Sequence, residues 1–199
     1  MVDNAAKRLS AVVLAGGIST SADNQRAESA RGRVIEHLAW TLAQFPFARF
    51  ALIGADAGSH GRLEALPDDH NGVGPAEGIA TALRHLRGGI LVTAGNMPFV
   101  SAEMIEWLLA HDDAKADAVI PRHAGGVEPF FAIYNTSVLS HLEKALRSDG
   151  GGFGGALEKD TVRYLDVPER FSARRDFTRV HTPQEYEQAL ATLEKKISR

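Results

Sequence analysis

Compact apolar runs alternate with longer segments of helical spacing along the first two-thirds of the chain. Ala11-Val12-Val13-Leu14-Ala15 is an unbroken apolar run, the pattern of a strand covered on both faces. Val34, Ile35, Leu38, Leu42 and Phe45 then fall at helical spacing, which predicts a helix through Ala43. Phe50-Ala51-Leu52-Ile53 reads as a second strand, and Ile79, Leu83 and Leu86 mark a second helix. Ile90-Leu91-Val92-Thr93 reads as a third strand. Ser101 is placed to cap a helix whose inner face carries Ile105, Leu108 and Leu109, and Ala118-Val119-Ile120 follows as a fourth strand. Alternation of this kind predicts an α/β fold: a mostly parallel, Rossmann-like sheet between two layers of helices.

After Pro121 the rhythm changes. Phe130 to Tyr134 reads as a strand, Val138 to Leu146 as a helix and Val162 to Val167 as a further strand. Thr182-Pro183-Gln184-Glu185 combines a capping box with proline at the first helical position, and its helix carries Tyr186, Leu190 and Leu193 on one side. Ser148 to Gly155 holds five glycines and reads as a loop. There is no internal repeat and no long linker, so a single domain over residues 1–199 is expected.

Composition narrows the class of function. Apolar residues make up 44% and charged residues 24%, the balance of a globular protein. A net charge of −3 argues against a nucleic-acid scaffold, which carries a basic excess. The chain has no cysteine, which excludes disulfides and thiolate metal sites. The start lacks the apolar run of a signal peptide and no apolar stretch approaches ~18 residues, so the expected compartment is the cytoplasm.

Four stretches sit where such a fold binds ligands, beyond the carboxyl ends of its strands. The first is the Leu14-Ala15-Gly16-Gly17 turn, whose glycines let main-chain amides approach a phosphate or base. Taken alone it reads first as a simple tight turn, with neither the third glycine of a dinucleotide fingerprint nor the Gly-Lys-Ser/Thr of a P-loop. The second is Asn71 to Gly78, with Gly74-Pro75 ahead of a helix and Asp68-Asp69 before it. Ala94-Gly95-Asn96-Met97-Pro98-Phe99 leaves the third strand, and Pro121-Arg122-His123 is followed by Glu128-Pro129-Phe130-Phe131-Ala132-Ile133-Tyr134. Elsewhere, His37, His60, His85, His111 and His141 show no metal spacing and are expected to be structural or solvated. Trp40 and Trp107 fall at helical spacing and are expected in the core rather than as a stacking platform.

In this order and spacing the four stretches resemble the molybdenum cofactor guanylyltransferases, relatives in fold of the nucleotide-diphospho-sugar transferases. The resemblance runs from about Val12 to Leu190. It implies GMP transfer from GTP to molybdopterin, with release of pyrophosphate and help from a magnesium ion. By resemblance Leu14, Ala15, Gly16, Gly17 and Asp56, together with Asp69, Gly74, Pro75 and Gly78, bind the nucleotide. Arg122, His123 and Glu128 take the pterin side, Arg26 is the catalytic cation, and position 96 is the metal position.

The chain departs from that family where charge matters. After the double glycine the family has an arginine at the place of Ser21 and a lysine at the place of Arg26, whose planar fork is not equivalent to an ammonium. Its magnesium-binding aspartate becomes Asn96, and its closing Asn-any-Asn-Thr-Pro becomes Arg179-Val180-His181-Thr182-Pro183. Hard cations prefer carboxylates, so Asn96 is a degenerate metal position. Asp23 and Glu77 could replace the missing ligand, although both are expected as solvated loop residues. Uncompensated, the losses cut turnover by roughly a million-fold. Two outcomes stay open: an impaired guanylyltransferase, or an inactive relative that binds nucleotide, cofactor or a molybdoenzyme-assembly partner. A different nucleotide is a third, because purine selection in this fold rests largely on backbone geometry.

Overall fold

A computed structural model of the chain describes residues 2–15, 24–54, 62–66, 74–147, 157, 161–172 and 174–197. The first half runs α1 (Val2–Arg8), β1 (Leu9–Leu14), α2 (Asn24–Leu42), β2 (Phe50–Ile53), β3 (Glu64–Leu66), α3 (Pro75–His85) and β4 (Gly89–Ala94). The second runs α4 (Ala102–Ala110), β5 (Ala118–His123), β6 (Gly126–Val127), β7 (Phe131–Tyr134), α5 (Leu139–Arg147), β8 (Val162–Asp166) and α6 (Pro183–Ile197). The strands form one sheet in the order β3-β2-β1-β4-β7-β5-β6, with β8 pairing β5. Strands β3, β2, β1 and β4 are parallel neighbours, β7 lies antiparallel between β4 and β5, and β8 runs parallel to β5.

The unbroken apolar run of β1 does what its composition requires. All six of its residues are buried. Ala11 and Val13 join one hydrophobic cluster with Leu38 of α2, Leu108 of α4 and Leu190 of α6. Val12 and Leu14 join a second with Ile79 and Leu83 of α3 and Leu142 of α5. Successive strand side chains point to opposite faces, so a strand between two helical layers needs apolar residues at every position. That is the predicted three-layer arrangement.

Three elements carry no sequence signal strong enough to predict them: α1, the three-residue β3, and β6 in its hairpin with β5. Helix α2 also begins well before Val34, through the polar stretch at its start. Trp40 overturns its expectation. It is 77% exposed, because Val34, Ile35, Leu38, Ala39 and Leu42 take the inner stripe of α2 and position 40 lies off it. Trp107 is buried as expected. Glu77 is the second correction. It lies in the first turn of α3, is buried, and accepts from Arg84 Nη1 at 2.8 Å. Arg84 also donates to Glu143 at 3.1 Å, which ties α3 to α5. A buried carboxylate needs such a partner.

Both predicted helix caps form. The Ser101 hydroxyl accepts from Met104 N at 3.3 Å. Glu185 accepts from His181 N at 2.7 Å and Thr182 N at 3.0 Å, and the amides hold its carboxyl below the usual range. At the amino edge of the sheet, Arg8 donates to Asp112 Oδ2 at 3.2 Å and to Asn135 Oδ1 at 2.8 Å. Asn135 Nδ2 in turn donates to the carbonyls of Asp113 at 2.9 Å and Ala116 at 2.6 Å. This polar cluster fastens α1 to the turn after α4 and to the residue that follows β7. Among the described residues, no helix is long and apolar enough to cross a membrane.

Candidate functional site

The opposite, carboxyl edge gathers the sequence-predicted stretches. Strand β1 ends on Leu14 and Ala15, which are tied to both neighbours: Ala15 N donates to Ile53 O at 2.7 Å, and Gly95 N donates to Leu14 O at 2.8 Å. A Cβ at Gly95 would sit 3.1 Å from Leu14 O and 3.5 Å from Ala15 Cα, so glycine lets the turn after β4 lie against the end of β1. Gly78 does the same for α3. Its Cβ would lie 3.1 Å from Leu14 Cδ2 and 3.5 Å from Ile53 Cγ2. Leu14, Gly78 and Gly95, one residue from each of three predicted stretches, therefore meet at this edge. Gly16, Gly17, Asp56 and Asp69 lie outside the described residues, as do Ser21, Asp23, Asp68 and His60. Arg26 belongs to the first turns of α2, and Pro75 is the first residue of α3.

Gly74 precedes that helix with φ 105° and ψ 179°, a conformation open essentially to glycine alone. No atom lies within 4 Å of a Cβ built there, so a methyl group would meet a backbone penalty and no clash. We expect Gly74→Ala to lose about 1–3 kcal/mol of unfolding free energy in urea denaturation. A loss below a few tenths would mean that the turn relaxes into an ordinary conformation.

Past β4 the chain turns through Asn96, with Met97 fully buried beneath it. Asn96 O accepts from Val180 N at 2.9 Å, which brings the segment before α6 over this turn. The neighbouring Arg179 pairs with the buried Glu128, and its guanidinium lies 4.9 Å from the Phe130 ring centroid. Glu128 also accepts from Phe130 N at 3.2 Å, while Ala94 N donates to Phe130 O at 2.8 Å. Asn96, Val180, Arg179, Phe130 and Ala94 thus form a closed circuit at the end of β4. Tyr134 steadies it from below by donating to Pro129 O at 2.7 Å. Burial pushes the Tyr134 phenol well above its usual range, with Glu128's charge adding to the effect, so the hydroxyl keeps its proton.

The Arg179–Glu128 pair has no counterpart among the sequence-predicted features. The two residues lie 51 positions apart, and no spacing rule connects them. Its one trace in the sequence is the arginine itself in the Arg179-Val180-His181-Thr182-Pro183 segment, visible there only as a departure from the family pattern.

Arg122 and His123 end β5 on the same edge, since β5 runs parallel to β4 with β7 reversed between them. Arg122 Nε donates to Asp166 Oδ1 at 2.9 Å, and this contact lowers the Asp166 carboxyl below its usual range. The His123 ring packs 5.1 Å from that of Phe177. Glu128 is buried against the partly exposed Arg179, whereas Arg122 is exposed.

The described donors do not suit a hard divalent cation. Asn96 offers a neutral oxygen, and the Glu128 carboxylate is taken by a guanidinium and an amide. Among the described residues no group of three or more His, Cys, Asp or Glu could hold a metal ion.

Comparison with known proteins identifies the family and the fold. A "Probable molybdenum cofactor guanylyltransferase" of Carboxydothermus hydrogenoformans is 27% identical over 190 residues, covering 92% of this chain and 96% of the relative. One from Pelotomaculum thermopropionicum is 31% identical over 142 residues, or 69% of this chain and 68% of that protein. Among solved structures, molybdopterin-guanine dinucleotide biosynthesis protein A from Archaeoglobus fulgidus matches with a TM-score of 0.71 at 28% identity, covering 94% of this chain and 100% of that one. The 4-diphosphocytidyl-2C-methyl-D-erythritol synthase of Anaerococcus prevotii, at 14% identity and a TM-score of 0.64, shares the fold. The MobA-like NTP transferase domain itself matches residues 11–163, from within the β1 apolar run into β8. A match of that extent places this chain in the family of MobA-like NTP transferase domains.

Proposed function

We propose that the chain binds GTP and molybdopterin at the carboxyl edge of the sheet and, in the cytoplasm, transfers GMP between them at a much reduced rate. The carrying observation is the meeting of Leu14, Gly78 and Gly95 within van der Waals or hydrogen-bond contact at one sheet edge. That packing brings the end of β1, the turn after β4 and the start of α3 together at the carboxyl edge, where open α/β sheets take their ligands. The end of β5, with Arg122 and His123, and the start of β7 leave the adjoining part of the edge for the second substrate. In the reaction, a phosphate oxygen of the pterin attacks the α-phosphorus of GTP; the bond from that phosphorus to the bridging oxygen breaks, and pyrophosphate leaves. Two anions must meet in line, so the rate depends on local positive charge.

Single-turnover guanylyl transfer, with protein in excess over molybdopterin, tests the proposal. Formation of guanine dinucleotide cofactor above the protein-free background is the expected result. A second reading, binding of nucleotide or cofactor without transfer, is favoured by the neutral Asn96 and the occupied Glu128. GTP binding with no product above background would select it.

A further inference from the structure

We propose that Arg179 is the resident cation of this site, and that its guanidinium holds nucleotide phosphate without a divalent ion. The proposal rests on the nucleotide reading given above and deepens it. Its basis is the circuit at the end of β4. The Glu128 side chain is 5% exposed and that of Arg179 is 34% exposed. The carboxylate end of the pair is therefore sunk in the protein, and a ligand arriving at the edge meets the positive end.

The guanidinium is also held in place. One of its nitrogens, Nη2, engages Glu128, and its Cζ lies over the Phe130 ring, 4.9 Å from the centroid. Phe130 is fixed to Ala94, and Val180, the next residue along the chain, is fixed to Asn96. An arginine has five N–H groups in a rigid fork, so one bond to a carboxylate leaves others to donate to phosphate oxygens. Charge-assisted bonds of that kind are the strong ones. The same pairing argues against a metal at Glu128: a dication there would have to displace the guanidinium and then lie beside a like charge. Asn96 supplies no compensating carboxylate. The charge that a dissolved ion would bring is thus built into the chain.

Calorimetric titration with GTP provides the test, in EDTA and again with excess magnesium. Wild-type protein is expected to bind in EDTA, with an affinity changed by less than about three-fold when magnesium is added. Arg179→Gln should weaken binding in EDTA by about ten-fold or more, without rescue by magnesium. Arg179→Lys should retain part of the affinity, since it keeps the charge and loses the fork. Arg179→Gln leaves a buried carboxylate unpaired, so the double variant Glu128→Gln/Arg179→Gln removes that penalty and is compared at matched thermal stability. It too should bind weakly. Magnesium-dependent binding by the wild type, or wild-type affinity in the double variant, would overturn the role of Arg179 and leave the nucleotide reading intact. No GTP binding by the wild type in either buffer would overturn both.

Discussion

Protein carrying Ser21→Arg and Asn96→Asp together should transfer guanylyl groups at least about 100-fold faster than the parent, and its transfer should depend on magnesium. The α-phosphorus of GTP is shielded by anionic oxygens, and preorganised cations lower the barrier where negative charge develops. A single such group is worth roughly 10²–10³ in rate. Asn96→Asp exchanges a neutral oxygen for a charged one of nearly the same shape at the end of β4, where the backbone is already held by Val180. The fold should tolerate the change, with stability altered by no more than about 0.5 kcal/mol. Position 21 lies outside the described residues, in the stretch that follows Ala15, and the arginine is expected there from the family pattern. The two changes should act together rather than additively, because they serve one transition state. Transfer rates measured with and without magnesium decide the matter. Rates equal to the parent in both buffers would show that the losses at 21 and 96 are not what limits this chain.

What the sequence reveals follows from range. The burial of β1 on both faces is legible because an apolar run without alternation suits a strand between two packed layers and little else. Helix ends at Ser101 and Thr182-Glu185 are legible because a cap is satisfied within four residues. Trp40 defeats a reading in which apolar character outweighs angular position: the stripe of α2 passes through Leu38, Ala39 and Leu42, and position 40 turns away from it. Glu77 resembles a solvated loop acid in the sequence because its partner, Arg84, is recognisable only once both lie on one helix with α5 against them. Strand β3 has three residues and gains its order from pairing with β2, so its own sequence cannot announce it. The glycines at 78 and 95 stand out along the chain, whereas the reason for them, close approach to Leu14, is a fact of tertiary packing.

The site inherits a further property from the fold. Its cation and its acid come from segments 51 positions apart, so the pair depends on the sheet that brings them together. Phe130, whose ring lies under the Arg179 guanidinium carbon, immediately precedes β7, whose register with β4 fixes where the circuit closes. Loss of core packing under β7 is then felt at the site, whereas loss of a surface ion pair such as Arg33–Glu194 is not.

Phe131→Ala should therefore be the most damaging single substitution in this region, costing about 3–5 kcal/mol of unfolding free energy. Phe131 is fully buried in β7 opposite Thr93, and its ring lies 6.0 Å from that of Phe177 in an edge-on arrangement. Removing the phenyl group forfeits its transfer energy, leaves a cavity between packed layers and takes away the edge partner of Phe177. Phe177 is also the ring on which His123 packs, so the loss should spread to the end of β5. Domains of this size have unfolding free energies of about 5–15 kcal/mol, so the variant gives up a large share of the total. Its melting temperature should fall by roughly 6–20 °C, at about 2–4 °C per kcal/mol. Phe131→Leu keeps most of the volume and should lose distinctly less. Urea denaturation of the three proteins with an unchanged slope is the measurement. A loss under about 1 kcal/mol for the alanine variant would mean that β7 and the segment before α6 are not packed against each other as described, and the circuit around Arg179 would lose its foundation.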